Sequence, residues 1–273
     1  SERGVGAFLL RLAVHAGLIV LLTLLTQVGG AVYGLALWLR PRFAWAATSL
    51  GFASLFVALY AVTWFPIGQL AALGGRKPLP CIERAGLSAS LVSCALHRNY
   101  VAPQLFDVIA SLSADVAQRY PGGKTRALDA SFPFFDGVPL LPHLSHDDGE
   151  KVDLAFHYTR GGEPAPGALA SPIGYWRFEQ PREGEPLPCG TRSQGWRWNM
   201  EWFASFTSRY LVLDDERTRH VLRWLASTGA QRGVGKVFVE PHLAERLNAS
   251  GDVIRFQGCR VARHDDHIHV QLR

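Results

Sequence analysis

His264-Asp265-Asp266-His267-Ile268-His269-Val270-Gln271-Leu272 lies almost at the C-terminus. Successive side chains of a strand point to opposite faces, so His267 and His269 share one face while Ile268 and Val270 turn to the core. A strand over 266–272 with an apolar side and an imidazole side is therefore expected. Far upstream, His146-Asp147-Asp148-Gly149-Glu150-Lys151-Val152-Asp153 leads into a second alternating run, 152–158 (VDLAFHY). There Asp153, Ala155 and His157 oppose Val152, Leu154 and Phe156, again a strand pattern. The Asp-Asp-Gly turn before it offers Gly149 a backbone conformation that other residues resist. His146 and Asp153 can thus converge at the mouth of a hairpin.

Together the two stretches supply two imidazoles, one carboxylate and two spare imidazoles. Two His and one Asp suit a zinc ion with its fourth position left open. The strand geometry lets one imidazole of the 267/269 pair bind metal while its neighbour reaches a substrate. His143 and His157 lie near the first stretch as weaker candidates, His157 reading as a strand-face histidine. His242, after Pro241, reads as structural or at a cleft rim, and Glu240 as a solvated strand end that can approach the site. Trp176, Trp196, Trp198 and Trp202 could line a groove or pack in the core.

The remainder of the 273 residues divides unevenly. Residues 16–39 and 44–66 contain no charged side chain, and each run is long enough to cross a bilayer core of roughly 30 Å as a helix. Arg40-Pro41-Arg42-Phe43 between them predicts an antiparallel transmembrane hairpin within residues 1–73, with both chain ends on one side. Trp38, Trp45, Tyr60 and Trp64 sit near the ends of the runs, as interfacial aromatics do. Arg40 and Arg42 oppose Arg3, Arg11, Arg76, Lys77 and Arg84 across that hairpin, so a charge count argues against an external domain.

Residues 74–80 (GGRKPLP) read as a linker, and 81–273 as one α+β domain with a central antiparallel sheet. Residues 103–120 carry Leu105, Val108, Ile109, Leu112 and Val116 at helical spacing. Helices are also expected over 199–210, over 214–228 with Asp214 or Asp215 as cap, and over 241–247, with strands at 234–239 and 253–256. The Pro- and Gly-rich stretch 161–195 reads as a long excursion over the surface. Cys81, Cys94, Cys189 and Cys259 all follow the apolar runs, an even number compatible with an oxidising compartment, and three pairings are open. The net charge of +5 and pI near 9.2 come from scattered basic residues without a basic run, which speaks against a nucleic-acid partner.

On these residues the chain resembles the LAS zinc metallopeptidases, the group of D-Ala-D-Ala carboxypeptidases and penicillin-insensitive murein endopeptidases, with the hedgehog signalling domain as a relative. The group's pattern is HxxGxxxD followed much later by HxH, matched here by His146-xx-Gly149-xxx-Asp153 and His267-x-His269. The stretch from Arg263 to Val270 is similar to the terminal HxxHxH signature of the murein endopeptidase branch, and Val237-Phe238-Val239-Glu240-Pro241-His242-Leu243 resembles its upstream strand-to-helix segment. The likeness covers roughly residues 145–272. It implies a hedgehog/D-Ala-D-Ala peptidase-like fold, with His146, Asp153 and His269 binding Zn2+, His267 acting as base or oxyanion stabiliser, and His264 assisting. The carboxypeptidase branch uses a glutamate before the HxH pair, where this chain has His264 and Asp265. Asp265 and Asp266 could instead orient an imidazole. The implied activity is hydrolysis of peptidoglycan peptides by a bacterial inner-membrane protein with an extracytoplasmic domain. The alternative is a zinc-binding, non-hydrolytic recognition domain on the same anchor.

Overall fold

A computed structural model describes residues 2–190 and 210–273. The helix expected at 199–210 and Trp196, Trp198 and Trp202 therefore lie outside the described residues, apart from Tyr210. The N-terminal apolar region forms α1 (Glu2–Thr26), α2 (Gly29–Leu39) and α3 (Ser49–Leu73). Two stretches, Gly4–Thr26 and Ser49–Leu73, are long and apolar enough to cross a membrane. Their outward faces are apolar, with Phe8 64% and Phe65 78% exposed.

The expected single helix over 16–39 is not formed, because the chain reverses at Gln27, whose φ is +65°. The reversal has two local causes. Gly29 and Gly30 allow a close approach that a side chain would block: a Cβ on Gly30 would lie 2.0 Å from Thr23 Oγ1 and 2.5 Å from the Ile19 carbonyl oxygen. Gln27 also leaves the helix to serve the following domain, its Oε1 accepting from Phe134 N at 2.8 Å and its Nε2 donating to Phe135 O at 3.1 Å. Both α1 and α3 consequently run towards the domain, where the Tyr60 hydroxyl donates to Ala95 O at 2.9 Å. Residue 2 and the domain thus sit at opposite ends of the helical layer, not on one side as the two-helix reading expects.

The 74–80 segment is docked, not a free linker. It contributes β1 (Lys77–Pro78), and Arg76 and Leu79 are buried. The domain then follows as β2 (Leu87–Ala89), α4 (Leu91–Ala95), β3 (Tyr100–Val101), α5 (Pro103–Arg119), β4 (Thr125–Ala127), β5 (Lys151–Ala155), β6 (Tyr158–Arg160), β7 (Glu163–Pro164), β8 (Leu211–Leu213), α6 (Asp215–Trp224), β9 (Val234–Phe238), α7 (Pro241–Arg246), β10 (Ile254–Arg255) and β11 (His267–Leu272). β1 pairs with β3, and β6 with β7 and β8.

The main sheet has six strands in the order β10-β9-β11-β5-β4-β2. It is mixed, where an antiparallel sheet is expected. The four central strands are antiparallel, but β2 with β4 and β9 with β10 are parallel. Parallel neighbours need a crossover connection, and here α5 joins β2 to β4 while α7 joins β9 to β10. Leu105, Val108, Ile109, Leu112 and Val116 of α5 are buried in the same core as Val152, Leu154, Ile268 and Val270. The Asp214 side chain caps α6 by accepting from Arg217 N at 3.0 Å, and the helix runs on through a π turn at Leu225–Gly229.

The cysteines form Cys81–Cys94 and Cys189–Cys259. The 161–190 stretch is more than a surface excursion, because Ala170, Ser171, Tyr175 and Phe178 within it are buried.

Candidate metal centre

The two central strands set the site by register. In the antiparallel pair β11–β5, His269 stands opposite Asp153 and His267 opposite Ala155. Directly paired residues point to one face, so Asp153, His267 and His269 project together while Ile268, Val270, Val152 and Leu154 fill the core behind them. The turn before β5 brings in His146. Gly149 makes that turn with φ +79° and donates from its N–H to Ser131 Oγ at 2.9 Å. Arg76 packs against it so closely that a Cβ there would lie 1.5 Å from Nη1.

Three donor atoms converge. His146 Nε2 lies 3.1 Å from His269 Nδ1 and 3.3 Å from Asp153 Oδ1, and His269 Nδ1 lies 2.9 Å from that same oxygen. A tetrahedral ion with bonds of ~2.0–2.1 Å spaces its donors ~3.3 Å apart, close to the three observed edges. His146 Nδ1 sits 3.1 Å from Ala130 O, which fixes the proton on Nδ1 and aims the Nε2 lone pair at the other two ligands. All three residues are buried. This His/Asp group fits a metal ion.

Asp153 also collects a second pair. His143 Nδ1 is 2.5 Å from Asp153 Oδ2, and His267 Nε2 is 3.7 Å from Oδ1. His143, Asp153 and His267 place their donor atoms within 4.8 Å of one another, as do His146, Asp153 and His269. Sequence reading gives His143 only as a weaker candidate, because it lies in an irregular segment without periodicity. Its place becomes evident only from the 161–190 stretch, whose Ile173 O accepts from His143 Nε2 at 2.7 Å. Gly174, with φ +92°, lies over the site, and a Cβ there would be 3.1 Å from His267 Nδ1. Tyr175 packs its ring on His143 and His267.

His267 is fully buried. Its Nδ1 lies 2.5 Å from Asp266 Oδ1. Burial alone would lower its pKa, but the Asp153 and Asp266 carboxylates outweigh that and hold it at about 9. Burial also opposes the charge on Asp153, yet His146, His267 and His143 keep its carboxyl well below the usual range. His264 is held well below an ordinary histidine by burial and by its neighbours His267 and His269. Its backbone N–H donates to Glu240 Oε1 at 3.2 Å, so Glu240 is a buried support and not a solvated strand end.

Of the two aspartates before the pair, Asp266 orients His267 and accepts from Trp176 N at 3.2 Å. Asp265 instead takes the Arg263 fork at 2.9 and 2.5 Å. His157 is buried away from the cluster, where its N–H donates to Thr218 Oγ1 at 3.2 Å. His242 donates to Glu179 O at 2.7 Å and holds the 161–190 stretch in place.

A cleft of about 300 Å3 opens above the site. His143, His146, His264 and His269 reach its wall, together with Tyr175 and Arg260, whereas His267 does not. No protein-family model matches this sequence, and comparison with curated proteins finds no match.

Proposed function

We propose that the chain is a membrane-anchored zinc peptidase of the LAS kind that hydrolyses peptide cross-links or stem peptides of peptidoglycan. The observation that carries this reading is the convergence of His146 Nε2, Asp153 Oδ1 and His269 Nδ1 at tetrahedral-edge spacing under an open cleft. Two His and one carboxylate with an open side form a hydrolytic ligand set, whereas a structural zinc closes all four positions with protein. Bound zinc supplies Lewis acidity to a carbonyl oxygen and lowers the pKa of water towards neutrality.

The protein's own residues do the rest. His264, at the cleft wall, accepts the proton of the attacking water and returns it to the leaving amine. His267, behind the wall, is held by Asp266 and faces Asp153. Arg260 on the cleft wall is the cation available to a substrate carboxylate, which stem peptides carry.

The substrate of this reading lies outside the cytoplasm, so the proposal places the domain there. Because α1 runs towards the domain and α2 away from it, Arg11, Arg40 and Arg42 lie away from the domain end of the layer. Domain-side Arg76 is paired with Asp136, and Lys77 lies 3.5 Å from Asp107.

The test is metal content of the purified chain together with mass spectrometry of cross-linked muropeptides incubated with and without chelator. Stoichiometric zinc and chelator-sensitive cleavage are expected. Zinc without cleavage would leave a binding module, and a chain without zinc would overturn the metal assignment itself.

A further inference from the structure

We infer that the same pocket holds a second divalent cation, ligated by His143 and His267, with Asp153 bridging the two ions. The inference rests on the metal-centre reading above and extends it. Its strongest support is a hydrogen-bond count that does not close. Asp153 Oδ2 and His267 Nε2 are both buried and have no hydrogen-bond partner among the described residues. Buried polar atoms are ordinarily paired, so two orphans in one cluster call for a common partner.

The protonation pattern says what that partner is. His143 Nε2 is 2.7 Å from Ile173 O, which takes its proton and leaves Nδ1 a lone pair. That nitrogen faces Asp153 Oδ2 at 2.5 Å, and the two atoms belong to one group that could hold a metal ion. His267 is arranged the same way: its Nδ1 is bonded to Asp266 Oδ1, and Nε2 is turned to Asp153. Each imidazole is thus oriented from behind with its free nitrogen forward, as second-row partners orient metal ligands.

The sharing of Asp153 follows from its two oxygens. Oδ1 lies nearest His146 and His269, with His267 Nε2 at 3.7 Å, and Oδ2 faces His143. A bridging carboxylate of this kind holds two ions ~3.5–4 Å apart in two-metal hydrolases. The surrounding charge suits the added cation, since Asp266 backs His267 and Asp129 Oδ2 lies 3.5 Å from His143 Nε2. His264 stays outside both groups and remains available for proton transfer.

The experiment uses the full chain in detergent, stripped with chelator and titrated with Mn2+, with bound metal counted after dialysis and read by electron paramagnetic resonance. Two ions per chain with an exchange-coupled signal are expected. His143→Ala should bind one ion with an uncoupled six-line signal, and Asp153→Asn should lose both. One uncoupled ion in wild type, unchanged in His143→Ala, would overturn the second position and leave the first intact. No bound ion in wild type would overturn both readings. If His143→Ala fails to fold by circular dichroism, the coupled or uncoupled signal of the wild type decides alone.

Discussion

Gly149→Ala tests how the turn between His146 and Asp153 is held. An L side chain at φ +79° costs about 1–2 kcal/mol. The new Cβ would also lie 1.5 Å from Arg76 Nη1 and 2.4 Å from its Cζ, so the guanidinium must leave. Arg76 is only 5% exposed, and forced repacking of a filled interior costs about 1–3 kcal/mol. Its bond to Asp136 adds little, because that carboxylate is 70% exposed and such pairs contribute at most about 1 kcal/mol. The expected loss is about 2–5 kcal/mol, a fall of about 5–15 °C in the thermal midpoint for a domain of this size. Metal affinity should fall with it, since His146 and Asp153 flank the turn. Circular-dichroism melting of the detergent-solubilised chain measures the loss. Arg76→Ala supplies the decisive control: if the clash is real, the double variant recovers the repacking share and the single effects do not add. Additivity to within about 0.5 kcal/mol would refute the contact.

Three further outcomes follow from named contacts. His264→Ala should keep the metal and lose turnover, measured by metal content beside muropeptide cleavage; retained turnover would remove His264 from proton transfer. Cys259→Ser opens a disulfide spanning 70 residues, and chain entropy puts the loss at about 4 kcal/mol, read as a lower denaturation midpoint under oxidising conditions only. His157 is lowered to about 4 by burial, with Asp214 opposing that shift. Its folded value lies below the unfolded one near 6.5, so its contribution is complete above pH ~6.5 and is lost as pH falls towards 4, by about 2 kcal/mol at pH 5. His157→Gln should flatten stability between pH 7.5 and 5, and an unchanged slope would exclude His157 as its source.

Much of the centre is legible in the sequence because strands alternate with a period of two. Once 152–158 and 267–272 are read as strands, Asp153, His267 and His269 must each face away from the valines and leucines beside them. What the pattern cannot give is register, and the pairing of His269 with Asp153 is what brings the ligands together. His143 stands out only as a weaker candidate for a related reason: its placement depends on a carbonyl thirty residues away, in a stretch whose prolines and glycines carry no periodic signal. The break in the first apolar run is hidden differently. Hydropathy is the same on both sides of Gln27, so composition sees one long helix. The cue is local, an isolated amide side chain followed by two glycines, and it matters only because Phe134 and Phe135 are there to receive it. The parallel edges of the sheet likewise follow from α5 and α7 acting as crossovers, which helix periodicity reveals but strand order does not.

Only Gly74 and Gly75 separate the end of α3 from Arg76, whose N–H still bonds to Ala71 O at 2.8 Å and whose side chain is wedged against the turn between His146 and Asp153. The domain therefore stands on a stiff post and does not swing on a tether. If α3 crosses the bilayer, the cleft is held at one altitude above it, and its reach is set by the breadth of the domain and not by slack in a leash.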